Sequence, residues 1–309
     1  MFKNKFLKPK FWDDSNFNLF SILFFPFTII TISVIFLKKF VTKHKFKVKS
    51  ICVGNIYLGG TGKTQLVIKI NELMRNKYKT FVIKKFYKDQ IDEQNLLKNK
   101  TNLIMSKNRI EAIKKIRVSK KNVAIFDDGL QDKSIFYNLS IVCFNSQIGV
   151  GNGNLLPAGP LREKLSELKN YKAVFLNGKK NKNLIKKIKI NNNKIKIFTG
   201  YYFLKNKKDF NFKQKYLAFC GIGNPNNFFD LLNHNRIKVK KNLIFPDHYD
   251  YTKSDINRIK NIANENNLKI ITTEKDFTKI KIFKNFDVKI AAIDLKIDRL
   301  KEFRSFLLN

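Results

Sequence analysis

Residues 51–65, ICVGNIYLGGTGKTQ, constrain this chain more than any other stretch. A β-branched strand runs into a glycine-rich turn, and Gly62-Lys63-Thr64 then opens a helix. That is the setting a phosphate-cradling loop needs. Glycines let backbone N–H groups converge on phosphate oxygens, and the helix N-terminus adds its dipole. Lys63 is expected to reach the β- and γ-phosphates of ATP and the Thr64 hydroxyl to ligate Mg²⁺. Tyr57 stands where the strict G-x-x-x-x-G-K-[ST] pattern has its first glycine, so the expected ATP-binding run is Tyr57, Leu58, Gly59, Gly60, Thr61, Gly62, Lys63 and Thr64. A bare strand–turn–helix junction is the plainer alternative. Membrane-associated ATPases of the partitioning type carry a related K-G-G-x-G-K-T loop. Leu58 occupies the position of their signature lysine, which counts against that class.

The rest of the chain continues the alternation. Strands are expected at residues 47–54, 80–84, 122–126, 139–144, 173–177 and 194–198, with helices at 63–76 and 109–118. Residues 179–193 read as a Lys/Asn-rich connection. A second unit starts with the strand YLAFC at 216, followed by a helix near 228–234 and a strand at 268–272. Strands alternating with helices imply a parallel, doubly wound sheet. The expected fold class is α/β: a P-loop NTPase-like parallel sheet domain over 47–200, a smaller α/β domain over 201–309, and an N-terminal membrane-associating segment over 1–46.

Charge narrows the partners. The 309 residues hold 62 Lys+Arg against 24 Asp+Glu, a formal charge of +38. Only 8 of the cations are Arg, the residue suited to bidentate phosphate and base recognition. The charge is also spread along the whole chain, which argues against nucleic acid and leaves anionic lipid as a compatible partner. At 43% hydrophobic residues the chain is no disordered polycation. Three scattered cysteines, Cys52, Cys143 and Cys220, make neither a disulfide framework nor a zinc cluster and suggest a reducing compartment.

Residues 17–37, FNLFSILFFPFTIITISVIFL, are almost entirely apolar. A helix of that length reaches across a bilayer core. Pro26 inside the run kinks or divides such a helix. Lysines flank both sides (Lys3, Lys5, Lys8 and Lys10; Lys38, Lys39, Lys43 and Lys45), so charge gives no orientation. No small-residue cleavage site follows, which argues against a removable signal. The run reads as an embedded or interfacial anchor whose Lys flanks meet lipid phosphates, with a buried core helix as the alternative.

Two further segments carry chemistry. In VAIFDDGLQ (123–131) an apolar strand ends in Asp127 and Asp128, at the carboxyl edge where parallel sheets bind ligands. Beside a phosphate loop the pair is expected to serve Mg²⁺. In GNGNLLPAGPLREKL (151–165), Pro160 suits the first turn of a helix running through LREKLSEL, which places Arg162 and Glu163 at its N-terminus.

The ordered set GGTGKT, DDGLQ, GNGNLLPAGPLRE, AFCGIGNP, FPDHYDYT and TTEKD resembles the tetraacyldisaccharide 4′-kinase family, the lipid A 4′-kinases. The motifs run from Val53 to Asp276, and LPAGPLRE with FPDH and TTEKD is the specific part. The resemblance implies transfer of the ATP γ-phosphate to the 4′-hydroxyl of a lipid A disaccharide-1-phosphate precursor, at the cytoplasmic face of the inner membrane. It implies a P-loop domain and a smaller domain facing each other across the active site, and no obligate protein partner. It makes Lys63 and Asp128 catalytic, and Gln131, Arg162 and Glu163 substrate or phosphate contacts. A family aspartate in G-D-E-P, paired with the histidine of F-P-D-H, is the base that activates the sugar hydroxyl. Here Phe245-Pro246-Asp247-His248 supplies the second element, and Ile91-Asp92-Glu93-Gln94 matches the first in part, which points to Asp92. The chain departs from the family at Lys84-Lys85-Phe86-Tyr87, usually of Ser-Arg-Gly-Tyr type, and at Asp132, usually histidine.

Overall fold

The computed structural model describes residues 8–13 and 18–308. Lys3, Lys5 and Phe17, which belong to the expected anchor and its flank, lie outside the described residues.

In chain order the elements are α1 (Leu19–Phe24), α2 (Thr28–Leu37), β1 (Lys49–Gly54), α3 (Lys63–Met74), β2 (Lys79–Lys85), α4 (Ile91–Lys100), β3 (Leu103–Ser106), α5 (Arg109–Lys114), β4 (Asn122–Asp127), β5 (Leu139–Asn145), β6 (Ala173–Asn177), α6 (Lys182–Asn191) and β7 (Lys196–Leu204). Then follow β8 (Lys215–Cys220), α7 (Pro225–His234), β9 (Lys238–Ile244), α8 (Lys253–Glu265), β10 (Lys269–Thr273), α9 (Glu274–Ile280), β11 (Lys289–Ala291), β12 (Ile293–Ile297) and α10 (Leu300–Leu308). The chain forms two compact units. The larger holds Lys8–Phe86, Lys100–Tyr201 and Lys296–Asn309; the smaller holds Tyr87–Asn99 and Tyr202–Leu295.

The larger unit is built on an eight-stranded sheet of order β12-β7-β6-β5-β1-β4-β2-β3. Its central strands are parallel and buried on both faces: Ile51, Cys52 and Val53 on β1, and Val123 to Phe126 on β4, have no exposure. Helices cover both faces, so these strands read as continuous apolar runs rather than alternating ones. β1 lies between β4 and β5, where the winding reverses, and the crevice at its carboxyl end is the ligand position of such sheets.

The smaller unit has a parallel sheet of order β11-β10-β8-β9. Alternate residues of β8 face opposite cores, as the two-residue period of a strand dictates. Tyr216, Ala218 and Cys220 pack with Phe228, Phe229 and Leu232 of α7. Leu217 and Phe219 pack with Ile256, Ile259 and Ala263 of α8.

The apolar run divides at Phe25–Phe27 into α1 and α2, as expected of Pro26, which has no N–H to continue the ladder. No helix among the described residues is long and apolar enough to cross a membrane. Residues 182–191 form helix α6 instead of a connection: Asn181 caps it through Leu184 N–H, and Leu184 and Ile188, one turn apart, are buried. The helix expected from Pro160 is reduced to a 3₁₀ turn at Leu165–Asn170, and residues 161–163 precede it.

Candidate active site

The phosphate loop leaves β1 at Gly54 and enters α3 at Lys63. Gly62 caps α3 with φ of +91°, and Gly59 has φ of +129°, regions that a side chain rarely tolerates. Because the cap is glycine, no side chain accepts from the first-turn N–H groups of α3, and they point outward as an anion would require. Asn55, fully buried, organises the loop. Its side-chain amide donates to the Tyr57 and Gly59 carbonyls, its Oδ1 accepts from Arg162 at 2.9 Å, and its carbonyl accepts from Gln131 at 2.9 Å. Tyr57 takes the first glycine's place by burying its ring, while its hydroxyl donates to Asp13 and accepts from Lys8.

The 155–163 segment runs beside this loop. Leu58 N–H donates to the Pro160 carbonyl at 2.8 Å, Arg162 N–H donates to the Ile56 carbonyl at 2.7 Å, and Tyr57 bridges Leu161 in antiparallel fashion. These bonds explain the missing helix: backbone groups that would begin it are committed to the phosphate loop instead. Arg162 therefore reaches the loop from an extended segment. Glu163 is buried, accepting from the Tyr171 hydroxyl and pairing with Lys133 at 2.9 Å.

Register brings the acid pair to the same sheet edge: Asp127 lies opposite Val53 of β1 and Lys84 of β2. Asp127 is fully buried, with Oδ2 2.8 Å from Lys84 Nζ. Asp128 leaves the strand with φ of +56°. Its N–H donates to the Val53 carbonyl, its own carbonyl accepts from Arg109 at 2.7 Å, and its Oδ1 accepts from Arg162 at 2.9 Å. Burial pushes the Asp128 carboxyl up, but Lys63, Arg162 and Lys84 together hold it below the usual range. Among the described residues, Thr61 Oγ1, Asp127 Oδ1 and Gln131 Oε1 are buried with no hydrogen-bond partner.

In the smaller unit Asp92 and His248 meet. His248 Nδ1 lies 2.8 Å and 3.0 Å from the two Asp92 oxygens. Asp92 sits in the first turn of α4, only 1% exposed. His248 is held on a left-handed backbone, φ +58°, by its N–H to Asp247 and to the Gly221 carbonyl at the end of β8. Lys275 and Lys279 of α9 lie 3.5 Å and 3.6 Å from Asp92 Oδ2. Burial pushes the Asp92 carboxyl up, yet the His248 hydrogen bond, Lys275 and Lys279 leave it below the usual value. With the carboxylate ionised, Nδ1 is assigned as the donor and Nε2 is the nitrogen turned away from the pair.

The larger unit thus gathers Tyr57 to Thr64, Asp127, Asp128, Gln131, Arg162 and Glu163, and the smaller gathers Asp92 and His248. Five residues with a part in this geometry escaped the sequence reading: Asn55, Lys84, Arg109, Lys275 and Lys279. Lys84 ends the apolar strand TFVIK, and Lys275 and Lys279 are spaced i, i+4 beside TTEKD. Both are positional signals that mean little until the opposing carboxylates are placed.

Comparison with known proteins gives a consistent picture. The family model described as tetraacyldisaccharide-1-P 4′-kinase matches residues 17–309. A tetraacyldisaccharide 4′-kinase from Pelagibacter ubique is 46% identical over 285 residues, covering 89% of both chains. One from Rickettsia akari is 33% identical over 313 residues, covering 95% of this chain and 93% of its own. Among solved structures, an LpxK from Aquifex aeolicus in complex with ATP superposes with a TM-score of 0.70 at 24% identity, covering 94% of this chain and 98% of its own, which establishes the shared fold.

Proposed function

We propose that this chain, which belongs to the tetraacyldisaccharide-1-P 4′-kinase family, is an ATP-dependent kinase that phosphorylates the 4′-hydroxyl of a tetraacyldisaccharide 1-phosphate, a lipid A precursor. One observation carries the reading beyond ATP hydrolysis: the Asp92–His248 pair at 2.8 Å. A hydroxyl acceptor needs a group to take its proton, and this pair supplies one from outside the phosphate loop. Leu58, in place of a signature lysine, also leaves the positioning class without support.

In this reading the loop amides, the first-turn N–H groups of α3 and Lys63 bind the β- and γ-phosphates. Thr64, Asp127 and Asp128 form a hard-oxygen donor set suited to Mg²⁺, and the unpartnered Asp127 Oδ1 supports that fit. A divalent cation held by these oxygens would supply positive charge against the charge that develops on the leaving diphosphate. Arg162 adds a guanidinium beside Asp128, Gln131 ties the acid-pair turn to the phosphate loop through the Asn55 carbonyl, and Glu163 is held by Tyr171 and Lys133. The 4′-oxygen attacks the γ-phosphorus and the bond to the β–γ bridging oxygen breaks. ADP leaves with that electron pair, and the hydroxyl proton passes to the Asp92–His248 pair.

The N-terminal helices support action at an inner-membrane surface. Their polarity is inverted: the hydroxyls turn inward, Ser21 donating to the Ala158 carbonyl and Thr31 to the Leu156 carbonyl. Leu19, Phe20, Leu23, Ile29, Ile30, Leu37 and Phe40 are exposed. A contiguous apolar face flanked by Lys38, Lys39 and Lys43 suits an interfacial position on anionic lipid.

The test is direct. Purified protein, ATP, Mg²⁺ and the disaccharide 1-phosphate in mixed micelles should yield a product heavier by one phosphate in mass spectrometry. ADP release without a phosphorylated lipid would overturn the kinase reading.

A further inference from the structure

The T-T-E-K-D segment has so far been a signature without a task. Its parts divide cleanly. Thr272 Oγ1 donates to the Phe219 carbonyl, tying β10 to β8. Thr273 caps α9 through Asp276 N–H, and Asp276 in return accepts from the Thr273 and Tyr251 hydroxyls and from Gly221 N–H. These bonds fix the start of α9 against the turn that carries His248. Glu274 accepts from Ile293 N–H, which leaves Lys275, with Lys279 one helical turn further on the same face.

Both lysines aim at the Asp92–His248 pair. Lys275 Nζ lies 3.0 Å from Asp247, 3.5 Å from Asp92 and 3.6 Å from Glu93. Lys279 Nζ donates to the Tyr249 carbonyl at 2.8 Å and lies 3.6 Å from Asp92 Oδ2 and 3.4 Å from Asp250. The Lys275 and Lys279 side chains are only 15% and 10% exposed, so neither is a solvated surface charge. His248 Nε2 lies 3.7 Å from Asp247 and 3.9 Å from Glu93. The charged groups facing Asp92 are thus the two ammonium groups from α9 and the imidazole from the 245–251 turn. The carboxylates Glu93, Asp247 and Asp250 pair with those same cations.

We propose that Lys275 and Lys279 are positioning residues for phosphoryl transfer: two ammonium groups that clamp the Asp92 carboxylate beneath His248 and keep it ionised. An Asp–His pair withdrawn from water needs compensating charge, and the two ammonium groups add it to the bonds from His248 and Glu93 N–H. Burial alone drives a carboxylate toward its protonated form, in which it no longer accepts the imidazole N–H and the ring loses its orientation. Oδ1 is engaged by Glu93 N–H and the imidazole, and Oδ2 faces both lysines, so the carboxylate plane is fixed from two directions. The inference rests on the reading of Asp92–His248 as the proton-accepting pair.

The experiment measures turnover against pH for the full chain and for Lys275→Met, Lys275→Arg, Lys279→Met and Asp92→Asn, with thermal melts to verify folding. Loss of one neighbouring cation should raise the acid limb of Lys275→Met by about 1–3 pH units. Lys279→Met should move it the same way, and Lys275→Arg should return it toward the parent. A folded Lys275→Met whose acid limb coincides with the parent's, with activity reduced equally at every pH, overturns the proposal. If Lys275→Met does not fold, the acid limb of Lys279→Met decides in the same way. The two readings fail differently. Full activity in Asp92→Asn removes the base assignment and the inference together, whereas an inactive Asp92→Asn with unmoved lysine limbs removes the inference alone.

Discussion

Lys84 Nζ stands 2.8 Å from Asp127 Oδ2, at the carboxyl ends of neighbouring strands, where the two side chains are 3% and 0% exposed. A buried ion pair is costly to form and more costly to break, since removing one partner strands the other. Lys84→Met should lower stability by about 3–5 kcal/mol. Adding Asp127→Asn to it should recover most of that loss. Urea denaturation of both variants checks this, and a double variant no more stable than Lys84→Met would refute it.

Acid should weaken each of the two units through its own charge-paired carboxylate. Asp92 and Asp128 both sit below the usual carboxylate value, so their contributions are present above the unfolded value near 3.9 and are lost as pH falls through the folded values. Asp276 works in the opposite sense: burial raises it, so its contribution is present below the unfolded value and is lost as pH climbs through the raised one. The urea midpoint should drop below about pH 4, and Asp128→Asn should flatten that drop.

Lys63 and Gly62 separate charge from backbone. Lys63→Ala should reduce turnover about 10²–10³-fold, the usual cost of removing one preorganised transition-state partner, while leaving the melting temperature unchanged. Gly62→Ala forces a Cβ onto a backbone at φ +91° and should cost about 1–2 kcal/mol together with nucleotide affinity. Isothermal titration with ATP and a thermal melt distinguish the two effects.

Arg162 should not be replaceable by lysine. Its NH1 bridges Asn55 Oδ1 and Asp128 Oδ1, both at 2.9 Å, and thereby joins the phosphate loop to the acid pair. A hydrogen bond to a charged group contributes about 1.5–3 kcal/mol, so Arg162→Met should cost about tenfold or more in kcat/KM for ATP. Arg162→Lys keeps the charge without the planar fork and should recover less than half of that in free energy. Steady-state kinetics with ATP varied reads both.

On the N-terminal helices, Leu23→Asp and Ile30→Asp should each weaken co-sedimentation with anionic vesicles. Fold stability should stay within about 0.5 kcal/mol, because both side chains are exposed. Unchanged vesicle binding would remove the apolar face from membrane contact.

Which strands the sequence disclosed follows a physical rule. The eight interior strands of the two sheets, β1, β2, β4 to β8 and β10, were all read as strands from the sequence. The four missed, β3, β9, β11 and β12, are the sheet edges among the described residues. An edge strand packs against fewer neighbours and keeps one row of backbone groups exposed, so KVKKNLI on β9 needs no apolar signature.

The phosphate loop, the acid pair and the α/β class were determined by sequence, because each depends on local backbone chemistry: glycines at positive φ, a strand ending in carboxylates, alternating periods. The partners of those groups were decided by tertiary structure alone. Lys84 meets Asp127 through strand register, Arg162 reaches Asn55 because the 155–163 segment pairs with the loop instead of coiling, and Lys275 meets Asp92 from far along the chain. Such contacts join side chains whose neighbours in sequence say nothing of each other, and only packing brings them within the few ångströms over which charge and hydrogen bonding act.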